Sequence, residues 1–365
     1  MKRIKKRRAF ELCWNERRAL AVVDSPFAVG LKYAFHDAES SRLVLVIDLM
    51  MGGDLKYWLS QHKCFGFEAS RYYAARTLLG LKALHDRDFV YRDVKPENML
   101  VDEHGRVRLS DLGLAEEPAS PRRRTTQVHS ELKGASGTPG YMAPEMLRRE
   151  VYDHRVDYFS LGCMVVEFIV GVCPFRTRDA AHWGGRKKKK KKKKQDTEDR
   201  ALRKQAKKED ARANMARAAL EMAPDLTQDV WKEGLGPAAK AFCKALLHKD
   251  PSKRLGSNGV KDILDHAFFG GLDLDEVLAD AVEPPFAPGK AINAKDAESI
   301  GDFASLGDDV PLSDGDFDTE RWNYVSPDAY QAEVVWLLQW EEEKRGPRTR
   351  VEAVAEKASS ACVLS

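Results

Sequence analysis

The sequence predicts an α+β fold in which helices outweigh a few short strands, and three observations support this. A helix is expected over Glu68–His85, because apolar residues recur on one broad face of that stretch. A second helix is expected over Asp157–Gly171, which is apolar on most of its faces, as is typical of a helix buried in a large domain. Between them, Met99–Val101 and Val107–Leu109 are very short strands, joined as a hairpin by a turn that ends at Gly105.

The other elements are predicted in order along the chain from the same kinds of pattern. A first helix places Phe10, Cys13 and Trp14 at three- and four-residue spacing and ends before Pro26. The apolar run Leu43–Ile47 is rich in β-type residues and indicates a buried strand. A further short strand is expected at Phe89–Val90, and further helices are expected at Pro237–Leu247, at Val260–His266 and, as an amphipathic helix, at Tyr330–Glu343.

The charge of the chain is strongly segregated. A length of 365 residues is typical of two domains or of one large domain with appendages. The formal net charge is only +3. Residues 186–217 nevertheless hold 16 Lys and Arg against 5 Asp and Glu, including eight consecutive lysines, Lys187–Lys194. Because like charges repel, we expect disorder or a frayed helix over residues 185–217. Residues 271–320 hold 14 Asp and Glu against 2 Lys, and this acidic segment is expected to wrap a surface.

Several classes of protein are excluded by composition. No apolar run is long enough to span a membrane, and the basic N-terminus lacks the apolar stretch of a signal peptide. The six cysteines show no zinc-ligand spacing, and a disulfide framework is not expected in a chain of this length, so we expect reduced thiols in the cytosol. The basic residues Lys2–Arg8 could form a nuclear-localisation signal or a nucleic-acid patch, but a solvated turn entering the first helix is favoured and no nucleic-acid partner is expected.

One short stretch carries the residues that phosphoryl transfer requires. Residues 91–98 read Tyr-Arg-Asp-Val-Lys-Pro-Glu-Asn, and an Asp-Leu-Gly tripeptide follows at 111–113, at the end of the predicted hairpin. Asp93 would orient the attacking hydroxyl and accept its proton, and Lys95 would neutralise charge on the transferred phosphoryl group. Asn98 and Asp111 would hold Mg²⁺ that bridges the phosphates of a nucleotide, since Mg²⁺ favours hard oxygen ligands.

This pattern resembles the eukaryotic protein-kinase family, and further motifs occur in the family's order. Ala143-Pro144-Glu145 matches the motif that closes the activation segment. Asp157 stands where the family places an acid that braces the catalytic loop, and Arg254 stands where the family pairs an arginine with the glutamate of Ala-Pro-Glu. The resemblance implies a two-lobed kinase fold, with a truncated N-lobe sheet and a complete, mostly helical C-lobe, and it implies ATP and Mg²⁺ as cofactors.

Details of these motifs are similar to those of the G-protein-coupled receptor kinases of the AGC group. Tyr91 precedes Arg-Asp, and Leu112 stands in the magnesium motif, where protein kinases usually have His and Phe. Further similarities are Leu49–Leu55, Gly140–Glu145, Trp322 and the segment Ile292–Phe303, which is similar to the tether that those kinases lay across the nucleotide site. The resemblance implies transfer of phosphate to Ser or Thr of a protein, with an activated seven-helix receptor as the expected substrate.

The resemblance also implies a domain organisation and a nucleotide site. The expected division is a kinase domain at 1–269 (N-lobe remnant 1–49, C-lobe 50–269 with the lysine insert 185–217), an AGC-type extension at 270–340 and a tail at 341–365. Glu16 aligns with the helix acid that pairs with a strand lysine in the family. Ile47, Asp48 and Met50 align with the hinge whose backbone binds adenine between the lobes.

Two elements of the family pattern are missing. No Gly-x-Gly-x-x-Gly occurs, and no strand before the first helix carries a lysine. We expect that the natural protein starts further upstream and that this sequence is a fragment or has a misplaced start. The alternative is a true truncation, a catalytically impaired pseudokinase or scaffold, because the glycine-rich lid and the lysine position the phosphates. A third hypothesis is an AGC-type kinase with a soluble substrate.

The C-terminus carries a possible lipid anchor. Cys362–Ser365 forms a prenylation box in which the terminal Ser favours a farnesyl group on Cys362. One prenyl chain anchors a protein only marginally. The run Lys187–Lys194 could add attraction to anionic lipids, although a solvated insert is favoured. The expected location is the cytoplasm, with peripheral, lipid-anchored attachment to a membrane.

The predicted activation segment contains three arginines, 122–124, followed by Thr125 and Thr126. A phosphate added beside arginines can order a loop, so this cluster could be a phosphorylation-controlled switch. The resemblance favours the other reading, in which the kinase is activated by docking on its receptor.

Overall fold

The computed structural model describes residues 2–37, 42–117, 132–176, 197–232, 234–288 and 319–345. The helices in these ranges are α1 (Lys2–Val22), α2 (Leu55–His62), α3 (Phe67–His85), α4 (Pro144–Leu147), α5 (Arg155–Val170), α6 (Thr197–Glu221), α7 (Gly236–Leu246), α8 (Val260–Leu264), α9 (Leu274–Leu278), α10 (Thr319–Trp322) and α11 (Pro327–Arg345). The strands are β1 (Leu31–Asp37), β2 (Arg42–Ile47), β3 (Met99–Val101), β4 (Val107–Leu109), β5 (Leu132–Lys133), β6 (Val151–Tyr152) and β7 (Tyr324–Val325). The α+β class predicted from the sequence is confirmed.

The chain divides into two compact units, and each is described by itself. The first comprises residues 1–30 and 48–310, and the second comprises residues 31–47 and 311–365.

The core of the first unit is built on α3 and α5, which pack against each other. Both helices are buried around most of their circumference, and each buried large apolar side chain contributes about 1.5–3 kcal/mol. Gly162 allows α5 to approach α7 closely, because a Cβ at this position would lie 2.9 Å from the Cβ of Leu246. The two long helices predicted from the sequence are thus confirmed, and they form the core against which the loop at residues 91–98 is placed.

The predicted hairpin is present in the first unit. β3 and β4 pair antiparallel, with Met99 opposite Leu109 and Val101 opposite Val107. Gly105 closes the turn with a φ of +93°, in the left-handed region that only glycine adopts without strain. The strand predicted at Phe89–Val90 is wrong, because these residues contribute only an isolated bridge between Val90 and Glu116.

The acidic segment is described as far as residue 288 and lies along the surface of the first unit. Its side chain Phe286 packs with ring centroids 4.6 Å from Trp58 and 5.6 Å from Tyr73. Asp280 accepts a hydrogen bond from the buried guanidinium of Arg76, with 2.5 Å between Nη1 and Oδ1. One apolar and one charged contact therefore fasten this segment to α2 and α3.

The second unit contains an antiparallel sheet with the order β2-β1-β7. Ala34 of β1 pairs with Leu45 on one side and with Tyr324 on the other. β2 is confirmed as a strand, but the prediction that it is buried is wrong, since Val46 and Ile47 are 38% and 41% exposed. An apolar run does not distinguish a central strand from an edge strand, and β2 lies at the edge of this sheet.

The helix predicted at Tyr330–Glu343 is confirmed within the longer α11. The prediction of an amphipathic helix is wrong, because consecutive apolar residues, which point in different directions around the helix, are all exposed. They are Val334, Val335, Trp336, Leu337 and Leu338. Tyr33 connects β1 to this helix by donating a hydrogen bond to Glu333, with 2.8 Å between Oη and Oε1.

Two charged segments for which the sequence did not predict a stable helix are helical. α1 begins at Lys2, so the prediction of a turn at Lys2–Arg8 is wrong. Residues 197–217 belong to α6, a continuous helix, whereas disorder or fraying was expected. Its last turn is held in place because Ala218 and Ala219 are buried and Lys249 donates a hydrogen bond to the carbonyl of Ala219 at 2.6 Å. The run Lys187–Lys194 lies outside the described residues.

Five of the six cysteines lie in the described residues, and each carries a free thiol. Among these residues, no helix combines the length and the apolar character that crossing a bilayer requires.

Candidate active site

The start of the catalytic loop predicted at residues 91–98 is hydrogen-bonded to the buried carboxylate of Asp157, near the N-terminus of α5. Asp157 accepts hydrogen bonds from the backbone N–H groups of Tyr91 at 2.9 Å and Arg92 at 2.7 Å. His85, the last residue of α3, approaches the same carboxylate with 2.8 Å between Nε2 and Oδ2. The bracing role expected for Asp157 is confirmed. These bonds hold Arg92 at a φ of +70°, an uncommon conformation for a residue other than glycine.

Asp93, the next residue, lies at the centre of a closed group of polar side chains and is 5% exposed. Lys95 donates to its Oδ2 atom at 2.5 Å, and the hydroxyl of Thr138 donates to its Oδ1 atom at 2.7 Å. Lys95 also donates to the hydroxyl of Thr138 at 3.0 Å. This arrangement fixes one carboxylate and one ammonium side by side, as phosphoryl transfer to a hydroxyl requires.

Asn98 is bonded to the same carboxylate. Its amide nitrogen donates to the backbone oxygen of Asp93 at 3.0 Å and to Oδ2 at 3.1 Å. The backbone oxygen of Asn98 accepts two bonds from Ser110, one from the N–H at 3.0 Å and one from the hydroxyl at 2.9 Å. Tyr91 donates to the backbone oxygen of Ser110 at 2.6 Å. The catalytic loop and the segment that carries Asp111 are therefore joined directly by hydrogen bonds.

Asp111 and Glu16 face each other across Gly113. Asp111 is exposed and has a φ of +52°. A Cβ on Gly113 would lie 3.4 Å from Oδ1 of Asp111 and 3.6 Å from Oε2 of Glu16, so glycine keeps the space between the carboxylates open. Burial, and then the charge of Asp111, raise the pKa of the Glu16 carboxyl from 4.5 to about 7. Glu16 is placed by α1, which packs on the turn Leu112–Leu114.

The oxygen atoms of this region fit a magnesium ion. Because the amide nitrogen of Asn98 is bonded to Asp93, its Oδ1 atom remains as the group that can bind a metal. Asp111 adds an exposed carboxylate. One amide oxygen and one carboxylate, completed by nucleotide phosphates and water, form an oxygen set of the kind that Mg²⁺ prefers. Asn98 and Asp111 are thus the residues that would hold the ion.

The residues expected to form the hinge are near neighbours in the chain and fall into both units. Asp48 lies in the first unit, where its carboxylate accepts bonds from the N–H of Gly30 at 2.8 Å and from Arg108 at 2.7 Å. Its own N–H donates to the carbonyl of Gly30 at 3.0 Å. Met50 lies two residues further on and is half-buried. Ile47 ends β2 in the second unit. The predicted lipidation site, Cys362, lies outside the described residues.

Thr138 and Ser110 are site residues that the sequence reasoning did not single out. Thr138 lies 45 residues after Asp93, in the segment that leads to α4. The sequence could have identified Thr138 only by its position five residues before the Ala-Pro-Glu motif. A single Thr in a polar loop does not otherwise indicate a site residue. The pair of Arg254 with Glu145, by contrast, was predicted and is confirmed.

Comparison with known proteins agrees with this geometry. A family model described as protein kinase domain matches residues 1–269. The chain is 37% identical to G protein-coupled receptor kinase 1 of Caenorhabditis elegans in an alignment 324 positions long, which covers 84% of this chain and 44% of that protein. It is 38% identical to beta-adrenergic receptor kinase 1 of Homo sapiens in an alignment 309 positions long, which covers 83% of this chain and 38% of that protein.

A third relative, rhodopsin kinase GRK1 of Homo sapiens, is 35% identical in an alignment 342 positions long, which covers 92% of this chain and 53% of that protein. The chain thus spans about half, or less than half, of the length of these relatives. The motifs, their geometry and the match over residues 1–269 lead to one conclusion: the chain belongs to the protein kinase family, and its sequence is similar to the G-protein-coupled receptor kinases.

Proposed function

We propose that this protein is a serine/threonine protein kinase that transfers the γ-phosphoryl group of ATP to Ser or Thr residues of a protein. The observation that supports this best is the closed group around Asp93, with Lys95 and Thr138 each bonded to one oxygen of the carboxylate. Catalysis of phosphoryl transfer depends almost entirely on positioning and on charge stabilisation. A side chain that is fixed at both oxygens and nearly buried meets the first requirement.

In this proposal Asp93 orients the substrate hydroxyl and accepts its proton as the new P–O bond forms. Lys95, already 2.5 Å from the carboxylate, compensates negative charge on the transferred group. Asn98 and Asp111 hold the metal, and Mg²⁺, when bound, neutralises the phosphate charge. The bond from Asn98 to Asp93 connects the base with one of the two metal-binding residues, and one loop holds both of these side chains.

The test is transfer of labelled phosphate from ATP to a protein substrate in the presence of Mg²⁺. We expect transfer by the parent protein and its loss in Asp93→Asn, which keeps the shape of the side chain and removes its charge, and we expect the variant to remain folded. Asp265→Asn is the matched control, since Asp265 is an exposed carboxylate in another part of the chain. Equal transfer by Asp93→Asn and the parent would disprove the assigned base.

A catalytically impaired pseudokinase is the second candidate, and Glu16 is the residue that favours it. Burial and the charge of Asp111 raise its pKa to about 7, and no cation among the described residues offsets this shift. A kinase that binds ATP only weakly would then act as a scaffold. Binding of ATP in the presence of Mg²⁺, measured by calorimetry, separates the candidates, because the impaired protein would show no saturable binding at millimolar nucleotide.

For the substrate, we propose an activated seven-helix receptor. The support is the similarity to beta-adrenergic receptor kinase 1 and to rhodopsin kinase GRK1, together with the shared motifs. A soluble protein substrate is the alternative. Phosphorylation of a light- or agonist-activated receptor in membranes should exceed that of the inactive receptor and of a soluble acidic peptide. Equal rates on the three substrates would favour the alternative.

For the location, we propose peripheral attachment to the cytoplasmic face of a membrane through a farnesyl group on Cys362. The support is the C-terminal sequence Cys-Val-Leu-Ser. Cys362→Ser should shift the protein from the membrane fraction to the soluble fraction of cells. Because one prenyl chain binds only marginally, deletion of Lys187–Lys194 should weaken attachment further if the run contributes. An unchanged distribution of Cys362→Ser would contradict the anchor.

A further inference from the structure

Two adjacent glutamates follow the Asp-Leu-Gly segment, and each forms an ion pair with a different part of the site. Glu116 pairs with Arg92 of the catalytic loop, and Glu117 pairs with Arg18 of α1. The roles proposed above use neither glutamate. Successive residues of an extended segment point to opposite sides, so one dipeptide can reach two partners.

The first partner, Arg92, precedes the proposed catalytic base and is almost fully buried. Its guanidinium donates to the backbone oxygen of Leu114 at 2.7 Å and to the hydroxyl of Tyr152 at 3.2 Å. A buried guanidinium keeps its charge at all relevant pH values and requires a counter-charge. Glu116 supplies that charge from the segment that also contains Asp111.

The backbone strengthens the same connection. Glu116 exchanges two hydrogen bonds with Val90, each of 3.0 Å, in an isolated antiparallel bridge. Val90 lies two residues before Arg92. The ion pair and the bridge therefore join the same two short segments, one of which leads to Asp93 while the other follows directly from Asp111.

The second partner, Arg18, lies two residues after Glu16 on α1. This helix packs on the turn Leu112–Leu114, so the pair with Glu117 adds a polar contact at the edge of an existing interface. Glu117 thereby holds the helix that carries Glu16 against the segment that carries Asp111.

We propose that Glu116 and Glu117 are positioning residues that fix the Asp111 segment between the catalytic loop and α1. Glu116 acts through Arg92 and sets the placement of Asp93 relative to Asp111. Glu117 acts through Arg18 and sets the placement of Glu16. The inference rests on the proposed kinase function for its catalytic consequence, but its structural part is independent of that function.

The structural part is tested by hydrogen exchange of the full chain without nucleotide. Glu116→Gln leaves the backbone groups of the bridge in place and removes the charge. Without the ion pair the bridge should open more often, and we expect amide exchange at positions 90 and 116 to rise about tenfold. Glu117→Gln should raise exchange in α1 around Arg18 while Val90 remains protected. Asp86→Asn is the control, since it removes a carboxylate from an exposed ion pair elsewhere, with Lys82, and should change neither region. Exchange in Glu116→Gln equal to that in Asp86→Asn would overturn the proposal.

The catalytic part is tested by steady-state kinetics of the same variants. Glu116→Gln should lower kcat roughly 10- to 100-fold with KM for ATP within about twofold, as expected for misplacement of reacting groups. Glu116→Asp, which keeps the charge on a shorter side chain, should recover part of the loss. An unchanged kcat in Glu116→Gln would overturn the catalytic consequence. If the parent transfers no phosphate, the proposed function fails, whereas the exchange result still decides the positioning role.

Discussion

Arg254 and Glu145 form a buried ion pair with two parallel hydrogen bonds, of 2.6 Å from Nη1 to Oε1 and 3.0 Å from Nη2 to Oε2. Their side chains are 0% and 3% exposed. Arg254 also donates to the backbone oxygens of Arg155 at 2.8 Å and His248 at 3.2 Å. One guanidinium thus joins α4, which ends the activation segment, to α5 and to the loop after α7.

Breaking this pair should destabilise the fold strongly. In Glu145→Gln the guanidinium stays buried without its counter-charge, and we expect the free energy of unfolding to fall by about 3–5 kcal/mol. The measurement is urea unfolding of the variant and the parent. The double variant Glu145→Leu with Arg254→Met should lose much less, because two apolar groups replace two charges. A loss below about 1 kcal/mol in Glu145→Gln would contradict this account.

Thr138 should matter for turnover more than for stability. Thr138→Val keeps the shape and removes the hydroxyl that donates to Asp93, so one carboxylate oxygen loses its partner. We expect kcat to fall roughly 10- to 100-fold, with a change in stability of about 1 kcal/mol. Thr138→Ser retains the hydroxyl and serves as the matched control. The prediction fails if valine and serine variants turn over at the same rate.

The stability of the protein should depend on the protonation of Glu16. Its pKa in the fold is about 7, above the ordinary 4.5, so the neutral form is favoured and the folded state binds the extra proton. The contribution of neutral Glu16 to the free energy of unfolding is complete below pH 4.5 and is lost as the pH rises through 7. Glu16→Gln is neutral at every pH and does not lose this contribution. Relative to the parent, its free energy of unfolding should therefore rise by about 1–3 kcal/mol between pH 4.5 and pH 8. Urea unfolding at both pH values tests this, and a difference independent of pH would contradict the shift.

Gly105 should report on the contact of the acidic segment with the hairpin turn. A Cβ at Gly105 would lie 1.9 Å from the backbone oxygen of Phe286, and the φ of +93° adds strain of about 1–3 kcal/mol. Gly134 is the control, since its φ is +104° and a Cβ there would meet no atom within 4 Å. Gly105→Ala should therefore destabilise more than Gly134→Ala in thermal unfolding. Equal effects would show that Phe286 does not rest on the turn.

The parts of the fold that were predictable are those with strong local signals. Glu68–His85 and Asp157–Gly171 are long and apolar, and the hairpin is marked by a turn with Gly105. The interactions of Asp157 and Arg254 were found through motifs, although their partners lie 65 and 109 residues away. Pattern and resemblance thus identified most of the catalytic loop.

The parts that were missed depend on distant partners. β7 is two residues long and pairs with β1 almost 300 residues earlier, so no local pattern marks it. α6 continues through a charged stretch because its C-terminal turn is buried and bonded to Lys249, which sequence periodicity does not reveal. Thr138 belongs to the site only because the folded chain brings it within hydrogen-bond distance of Asp93, 45 residues earlier.

The measurement that tests the account most directly is single-turnover transfer of the γ-phosphoryl group of ATP to Ser or Thr, with Mg²⁺, by the parent and three variants. Asp93→Asn and Lys95→Met should each abolish transfer, while Asp265→Asn should match the parent, and all four proteins should show a cooperative thermal unfolding transition, which establishes that they are folded. Transfer by Asp93→Asn at the parent rate would contradict the claim that the group around Asp93 is the catalytic centre.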